Sequence, residues 1–393
     1  YYCIIVMTLK KVSSTMVITL IVDSYAQASN GTTMTTRRFA EVLMQHGHTV
    51  KIAASTVDNI EPDHAFELGV RKIPILYQVS KTQGFIFAKR NRKVLKKAIE
   101  GSDVVHFLLP FACQRSGKKL CDELGIPSTA AFHIQPENIT STLHMNNLQS
   151  VNNMIYRRFK KFYNKFNHIH CPSSMIANQL IEHGYTANLH VISNGVSHAF
   201  VKKEVKKPES LRDKYIILMV GRYSIEKRQD LIIDAVLESK YESKIQIILA
   251  GKGPWEGHLK KLGESLTNPP IFGFYNEEEL IDVINYSDLY VHASDAEIEA
   301  ISCMEAFTCG LVPIISDSKI SATNQFALDE HNLFEHGNHH SLKEKIEYYI
   351  EHPEEKMKRS LEYIEYAKQY SIDNCVKQLE EVFLLAIKEK IKS

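Results

Sequence analysis

The sequence predicts an α/β protein built as two successive parallel-sheet domains. Short β-branched runs recur along the chain, each followed by a polar or glycine-bearing loop and then an amphipathic stretch, the order that produces parallel sheets. The alternation stops at Lys202-Lys-Glu-Val-Lys-Lys-Pro-Glu-Ser, which is charged and lacks apolar periodicity, and restarts at Tyr215-Ile-Ile-Leu-Met-Val. With 393 residues, the chain is long enough for two domains. The expected division is an extension or disordered tail at 1–15, a first domain at 16–198, a linker at 199–212 and a second domain at 213–372.

In the first half, Met16-Val-Ile-Thr-Leu-Ile-Val reads as a buried strand. Ser29-Asn-Gly-Thr-Thr is a loop, a helix runs through Arg37 to His46, and His48–Ala54 is the second strand. Gly31 would let backbone approach a ligand, although no Gly-x-Gly-x-x-Gly is present and a plain turn is nearly as good a reading. Asp103–Leu109 and Pro127–His133 are further strands, with a helix over Ser116–Leu124 between them. His133 falls at the carboxyl end of its strand, where open α/β sheets bind ligands, and can donate to a hydroxyl or phosphate. A strand near Ile169, a helix over Ser174–Gly184 and a strand from Leu189 complete this half.

In the second half, strand 215–220 runs into Gly221-Arg222-Tyr-Ser-Ile-Glu-Lys227, followed by a helix over Leu231–Ser239. Strand Ile245–Ala250 runs into Gly251-Lys-Gly-Pro254. Helix Glu256–Leu266, strand Ile271–Phe274, helix Glu277–Tyr286 and strand Leu289–Ala293 come next. Then a short loop carries Glu297, and Glu305 follows on a helix that ends at Gly310 before an apolar strand. Free N–H groups and the dipole at that helix start attract an anion such as a diphosphate. The two carboxylates suit sugar and ribose hydroxyls, while Arg222 and Lys227 suit phosphate oxygens. Together they point to a nucleotide-sugar site that neutralises a leaving diphosphate without a metal. Taken alone, Glu297 and Glu305 read equally well as an acidic loop and an ordinary helix-surface residue.

Composition narrows the class. The hydrophobic fraction of 44% and charged fraction of 24% are ordinary for a globular protein. Seven scattered cysteines with no Cys-x-x-Cys argue for reduced thiols and against a disulfide framework or zinc site. No apolar run reaches the roughly 18–20 residues of a membrane span, and Tyr1–Met7 lacks the basic flank of a signal peptide. The expected location is cytoplasmic. The net charge of +1 conceals 22 Lys and Arg against 12 Asp and Glu over residues 1–195. Much of that excess lies on two amphipathic stretches. One, from Phe87, carries Lys89, Arg90, Lys93, Lys96 and Lys97 opposite Phe87, Val94, Leu95 and Ala98. The other carries Arg157, Arg158, Lys160 and Lys161 beside Tyr156, Phe159, Phe162 and Tyr163. They read either as solvated helix faces or as surfaces that dock on the anionic inner face of the cell membrane. Nucleic acid is disfavoured: there is no recognisable module and no globally basic pI.

Gly-Arg-Tyr-Ser-Ile-Glu-Lys at 221–227, Gly-Lys-Gly-Pro at 251–254, Gly273, and Glu297 with Glu305 running into Glu-Ala-Phe-Thr-Cys-Gly-Leu-Val-Pro resemble the GT-B-fold retaining glycosyltransferases of family 4. The resemblance covers Met16 to the end. It implies two Rossmann-like domains facing a cleft, with the acceptor bound mainly by the first and the donor by the second. It also implies a last helix, 373–393, that crosses back to the first domain. Glu297 would hold donor-sugar hydroxyls and Glu305 the ribose. Arg222 and Lys227, with backbone around Ala300 and Ile301, would hold the diphosphate, and Gly221 and Gly251 belong to the same donor loops. Gly31 would approach the donor from the first domain, and His133 would position the transferred sugar. Three positions depart from the family pattern: Ala300 and Arg228 stand where glycine is usual, and Glu299 stands where an aromatic is usual. The expected activity is retaining transfer of a hexose, glucose from UDP-glucose, to a membrane lipid such as diacylglycerol or a glycolipid, with no cofactor required. A polysaccharide, wall-polymer or protein-glycan acceptor is the alternative within the family. A non-catalytic GT-B-like binding subunit is the alternative outside it.

Overall fold

The structure is a computed structural model and describes residues 15–26, 31–72, 86–142 and 149–392. All of the expected tail at 1–15 except Thr15, and most of the loop before Gly31, lie outside these residues. The chain forms two compact units. The first takes the described parts of Tyr1–Phe107, Phe111–Ser128 and Ala386–Ser393, and the second takes Leu108–Pro110 and Thr129–Leu385.

In the first unit, β1 (Val17–Ile21) is flanked in parallel by β2 (Thr49–Ala54) and β4 (Val104–Phe107), and β2 pairs with β3 (Ala65–Glu67). Helix α1 (Gly31–Gln45) connects β1 to β2 and buries Phe39, Val42 and Leu43. Helices α2 (Arg92–Ile99) and α3 (Ala112–Leu124) bracket β4, and left-handed Gly125 closes α3. Where β1 ends, the buried Asp23 carboxyl accepts from Ala88 N–H (2.9 Å) and Gln114 Nε2–H (2.6 Å), tying three segments together. Burial pushes its pKa up to about 6, against those hydrogen bonds.

The helix expected from Phe87 is corrected here. Residues 86–90 are extended, because Phe87 O accepts from Arg71 N–H and Lys89 N–H donates to Gly69 O. Helix α2 starts only after Asn91, whose side chain caps Val94 N–H. Phe87 packs edge-on against Phe111 instead of joining the helix stripe. Lys89 and Arg90 therefore lie off the helix, while Lys93, Lys96 and Lys97 are exposed on it.

The second unit contains β5 (Ser128–Ala131) from Thr129 onward, β6 (His168–Cys171) and β7 (Asn188–Val191), paired in parallel in that order. Helix α4 (Pro136–Thr142) precedes α5 (Gln149–Tyr163), which buries Tyr156, Phe159, Phe162 and Tyr163. Arg157, Arg158 and Lys161 are exposed and Lys160 half-buried, the amphipathic division expected of this stretch. Ser173 caps α6 (Ser174–Glu182).

The same unit holds a second parallel sheet. Its strands are β8 (Tyr215–Val220), β9 (Ile245–Ala250), β10 (Ile271–Gly273), β11 (Leu289–His292), β12 (Pro313–Ser316) and β13 (Leu333–Phe334), in the order β10-β9-β8-β11-β12-β13. All six side chains of β9 are buried, as expected of a parallel strand covered on both faces. Helices α7 (Gln229–Leu237), α8 (Glu256–Gly263), α9 (Glu277–Tyr286) and α10 (Ile301–Thr308) make the crossovers. A capping box of Asn276 and Glu279 opens α9. Helices α11 (His339–Glu351), α12 (Pro353–Ala367) and α13 (Ile372–Lys392) end the chain. Among the described residues, no helix is long and apolar enough to cross a membrane. The six described cysteines are buried and unbridged.

The Gly251–Gly253 loop has a packing reason. A Cβ on Gly251 would lie 2.0 Å from Gly221 O, and one on Gly253 2.1 Å from Tyr223 O. Both obstacles are backbone and cannot swing away, so only glycine lets the loops after β8 and β9 close on each other. We expect Gly253→Ala to lower unfolding free energy by about 3 kcal/mol in urea titrations, the upper end for overpacking.

Candidate active site

Strand β8 is the first strand of its sheet and lies between the second and the fourth, so the order in which strands are added reverses between β8 and β11 while all run parallel. Ligands of open α/β sheets bind at such a switch point, outside the carboxyl ends of the strands. The two loops singled out in the sequence leave those ends, 221–228 after β8 and 293–300 after β11. Ser302 joins them by donating to Val220 O (3.3 Å) while accepting from Tyr290 OH (3.1 Å).

Here the structure brings together residues that the sequence assigned to different parts of a ligand. Lys227 Nζ forms an ion pair with Glu297 Oε1, and both side chains are mostly buried. His292 Nε2 lies 3.3 Å from the same oxygen, close enough to feel its charge but outside hydrogen-bond geometry. Burial pushes the Glu297 carboxyl up, but Lys227 and His292 outweigh it and hold the pKa at about 2. Burial lowers that of His292, against the pull of Glu297. The Glu297 backbone is fixed as well, bridging to Ser321 and accepting from Ala322 N–H (2.9 Å).

Arg222 is half-buried in the first of these loops, and its carbonyl accepts from Gln229 Nε2–H (2.8 Å). Among the described residues, its guanidinium has no hydrogen-bond or ion-pair partner. Burial lowers its pKa, with Glu226 opposing. Glu305 is buried within α10, Ala300 is the N-cap of that helix, and Ile301 its first residue. Gly221 donates to Ala250 O (2.9 Å). His133 is buried just past β5, its ring edge-on to His170 with centroids 5.2 Å apart. Gly31 opens α1 in the first unit with open space around its Cα.

Ala300 and Arg228, which replace the usual glycines, have φ of 61° and 54°. Both sit in the left-handed region, where a side chain costs about 1–2 kcal/mol. Arg228 is compensated by Asp230 (3.0 Å) and Asp295 (3.5 Å). The Ala300 side chain makes no such bond. Asp295, which also pairs with His336 (2.8 Å), and His292 were not read from the sequence. Single carboxylates and histidines next to a strand carry no signal of their own there.

Two other features adjoin these loops or lie elsewhere in the unit. A cavity of about 570 Å³ has Ala322 and Asn324 on one wall and Glu137, Gln179, Glu182 and His183 on another. Among the described residues, one group could hold a metal: Glu238, His339 and His340, with ligand atoms within 4.8 Å of one another. The Lys343 ammonium lies 3.8 Å from the same carboxylate, so we read the group as surface ion pairing.

Two outcomes follow. Ala300→Gly, which removes left-handed strain at a buried position, should raise unfolding free energy by about 1 kcal/mol in denaturant titrations. Lys227→Met would strand the Glu297 carboxylate and should cost about 3 kcal/mol near neutral pH. The folded Glu297 pKa lies below its unfolded value, so the pair's contribution is present above about pH 4.5 and fades toward pH 2. The difference between the Lys227→Met and wild-type melting temperatures should therefore shrink as the pH falls through that window.

Comparison with known proteins agrees with this organisation. The family model "Glycosyltransferase Family 4" matches residues 29–200, and "Glycosyl transferases group 1" matches 201–370. An alpha-monoglucosyldiacylglycerol synthase of Streptococcus pneumoniae is 23% identical over 320 residues, 77% of this chain and 71% of that one. The Anabaena protein Alr3699/HepE, solved in complex with UDP-glucose, superposes with a TM-score of 0.73 at 17% identity, over 93% of this chain and 99% of that one. A local match of 44% identity, over 40% of this chain and 99% of the other, is to the catalytic domain of cholesterol-alpha-glucosyltransferase from Helicobacter pylori, at a TM-score of 0.37. Two abutting family models that together match residues 29–370 fix the assignment: this chain is a GT-B-fold glycosyltransferase of family 4, a hexosyltransferase.

Proposed function

We propose that the enzyme transfers glucose from UDP-glucose to a hydroxyl of a membrane lipid such as diacylglycerol or a glycolipid, with retention at the anomeric carbon. The observation that carries the donor reading is Arg222, a half-buried guanidinium with no hydrogen-bond or ion-pair partner among the described residues, in the switch-point loop that also holds Lys227. A cation so placed is ready for an anion. The N-terminus of α10 adds uncompensated N–H groups.

On this reading, the diphosphate lies against Arg222, Lys227 and the Ala300–Ile301 backbone, with Gly221 and Gly251 shaping the loops around it. Glu305 accepts from the ribose and Glu297 from the hexose hydroxyls. The anomeric C–O bond to the diphosphate breaks as the acceptor oxygen bonds to the same face, and the acceptor proton passes to the leaving diphosphate. The two cations stabilise the charge that develops on the diphosphate. No protein nucleophile is needed, and His133 serves to position the sugar. The UDP-glucose in the Anabaena neighbour supports the donor class.

The acceptor reading rests on the name of the pneumococcal relative and on the exposed basic residues of α2 and α5. Lys93, Lys96, Lys97, Arg157, Arg158 and Lys161, with Lys89, Arg90 and Lys160 nearby, suit peripheral attachment to an anionic cytoplasmic leaflet, each contributing about 1 kcal/mol. The polar cavity beside Ala322 suits the hydroxyl-bearing part of the acceptor.

The test is transfer from UDP-, GDP- and ADP-hexoses with and without anionic vesicles containing diacylglycerol. Lipid-dependent glycolipid formation from UDP-glucose, lost at least a hundredfold in Glu305→Ala and Arg222→Ala, is the expected result. Charge-neutralising Lys93, Lys96 and Lys97 should weaken vesicle binding while leaving turnover of a soluble acceptor intact. Transfer only to soluble glycans would replace the lipid, and absence of nucleotide-sugar binding would overturn the catalytic reading.

A further inference from the structure

Glu299 has no part in the donor contacts described above, yet it is the most deeply buried carboxylate of the loop that makes them, 1% exposed. It stands two residues past Glu297 and directly before the strained Ala300. Its Oε2 accepts from Asn194 N–H at 2.9 Å. Asn194 lies on the segment that leaves β7, and its own Oδ1 is buried with no partner among the described residues.

That segment cannot move freely. Val196 N–H donates to Tyr370 O (2.8 Å), and Val196 O accepts from Ile372 N–H (3.0 Å). At Gly195 an added Cβ would lie 2.8 Å from Ile372 Cα. Residues 194–196 are thus pressed onto the start of α13. The loop is held at Asp295 by Glu226, Arg228 and Ser318, and at Glu297 by Lys227 and residues 321–322; Glu299 adds its tie to this seam.

We propose that Glu299 is a positioning residue of the donor site, acting as a neutral carboxylic acid that locks the Glu297–Ile301 backbone to the Asn194–Val196 segment. The lock would hold both the Glu297 carboxylate and the first turn of α10 in register for the nucleotide sugar, and it rests on the function proposed above. A neutral acid both accepts from Asn194 N–H and offers an O–H, and the unpartnered Asn194 Oδ1 is an acceptor on the residue it already touches. Burial pushes the Glu299 pKa up to about 8, against contacts from Ser193 and Asn194. The other titratable groups that sense it are Tyr370, just before α13, and Cys375 in its first turn. Burial raises the pKa of both and keeps them neutral, and no cation is among the groups that act on Glu299. Ionisation would therefore put an unpaired charge in the seam and loosen a loop already strained at Ala300.

The variants are Glu299→Gln, which imitates the neutral acid, and Glu299→Ala, which removes the tie. Wild-type donor KM should rise above about pH 8 with kcat changing less, and Glu299→Gln should abolish that rise. Glu299→Ala should raise donor KM tenfold or more at pH 7 while kcat falls less than threefold. An alkaline rise unchanged in Glu299→Gln, or an unchanged KM in Glu299→Ala, would overturn the proposal. A second readout needs no substrate. The folded pKa of Glu299 lies above its unfolded value, so its contribution to stability is full below about pH 4.5 and is lost as pH rises toward 8. The melting temperature of Glu299→Gln should gain on wild type steadily from pH 5 to 8. A constant difference would sink the neutral-acid lock even if no donor were turned over, an outcome that would separately sink the proposed function.

Discussion

The second unit's site depends on one buried ion pair, Lys227 with Glu297. Two loops that leave different strands of a parallel sheet lie beyond the sheet's own ladder. Here one backbone bond, Asp295 N–H to Glu226 O (2.8 Å), and the Arg228–Asp295 pair join them, and the buried charge pair sets Lys227 against Glu297. Taking both charges out of water is expensive, and an apolar pair of similar size would generally hold the loops at least as well. Retaining the charges therefore fits a site that must present a cation and a carboxylate together. A bound diphosphate shares the Lys227 charge on the proposed reading, and the Glu297 oxygens are then released to face sugar hydroxyls.

Around that pair the backbone falls into two kinds of special position. Gly251 and Gly253 are glycines because neighbouring carbonyls occupy the space of a side chain. Arg228 and Ala300 occupy backbone that glycine favours but carry side chains regardless. Strained backbone persists only where surrounding contacts over-determine it. Both positions have such contacts: Asp230 and Asp295 for Arg228, and the Glu297–Ser321 bridge and Glu299–Asn194 bond flanking Ala300. Departures from a family pattern and the compensating side chains thus occur together in the same loops.

Much of this was legible in the sequence where a pattern has a simple physical cause. The strands of the second sheet announced themselves as apolar runs because parallel strands are buried on both faces. The motifs at 221–227 and 297–305 follow their carboxyl ends, where the α/β rule expects a ligand. What could not be read depended on long-range partners. Phe87–Arg90 continues the helical pattern of 92–99, but pairing with Gly69–Arg71 draws it into extended backbone. The ion pair of Lys227 and Glu297 spans 70 residues, and sequence spacing assigned its members to different ligand groups. Glu299 was visible only as a departure from an aromatic. Its meaning depends on Asn194, 105 residues away.

Glu299 also shows why a departure can be informative. An aromatic at this position would fill the seam by packing alone and tolerate small displacements of its neighbours. A carboxyl is directional: it must meet Asn194 N–H at one distance and one angle, or leave a buried polar group unsatisfied. The replacement exchanges a tolerant contact for a specific one at the point where the 293–300 loop meets the segment leaving β7. On the proposed lock, that exchange makes loop geometry sensitive to whether the Glu299 carboxyl carries its proton, a property that packing alone cannot confer.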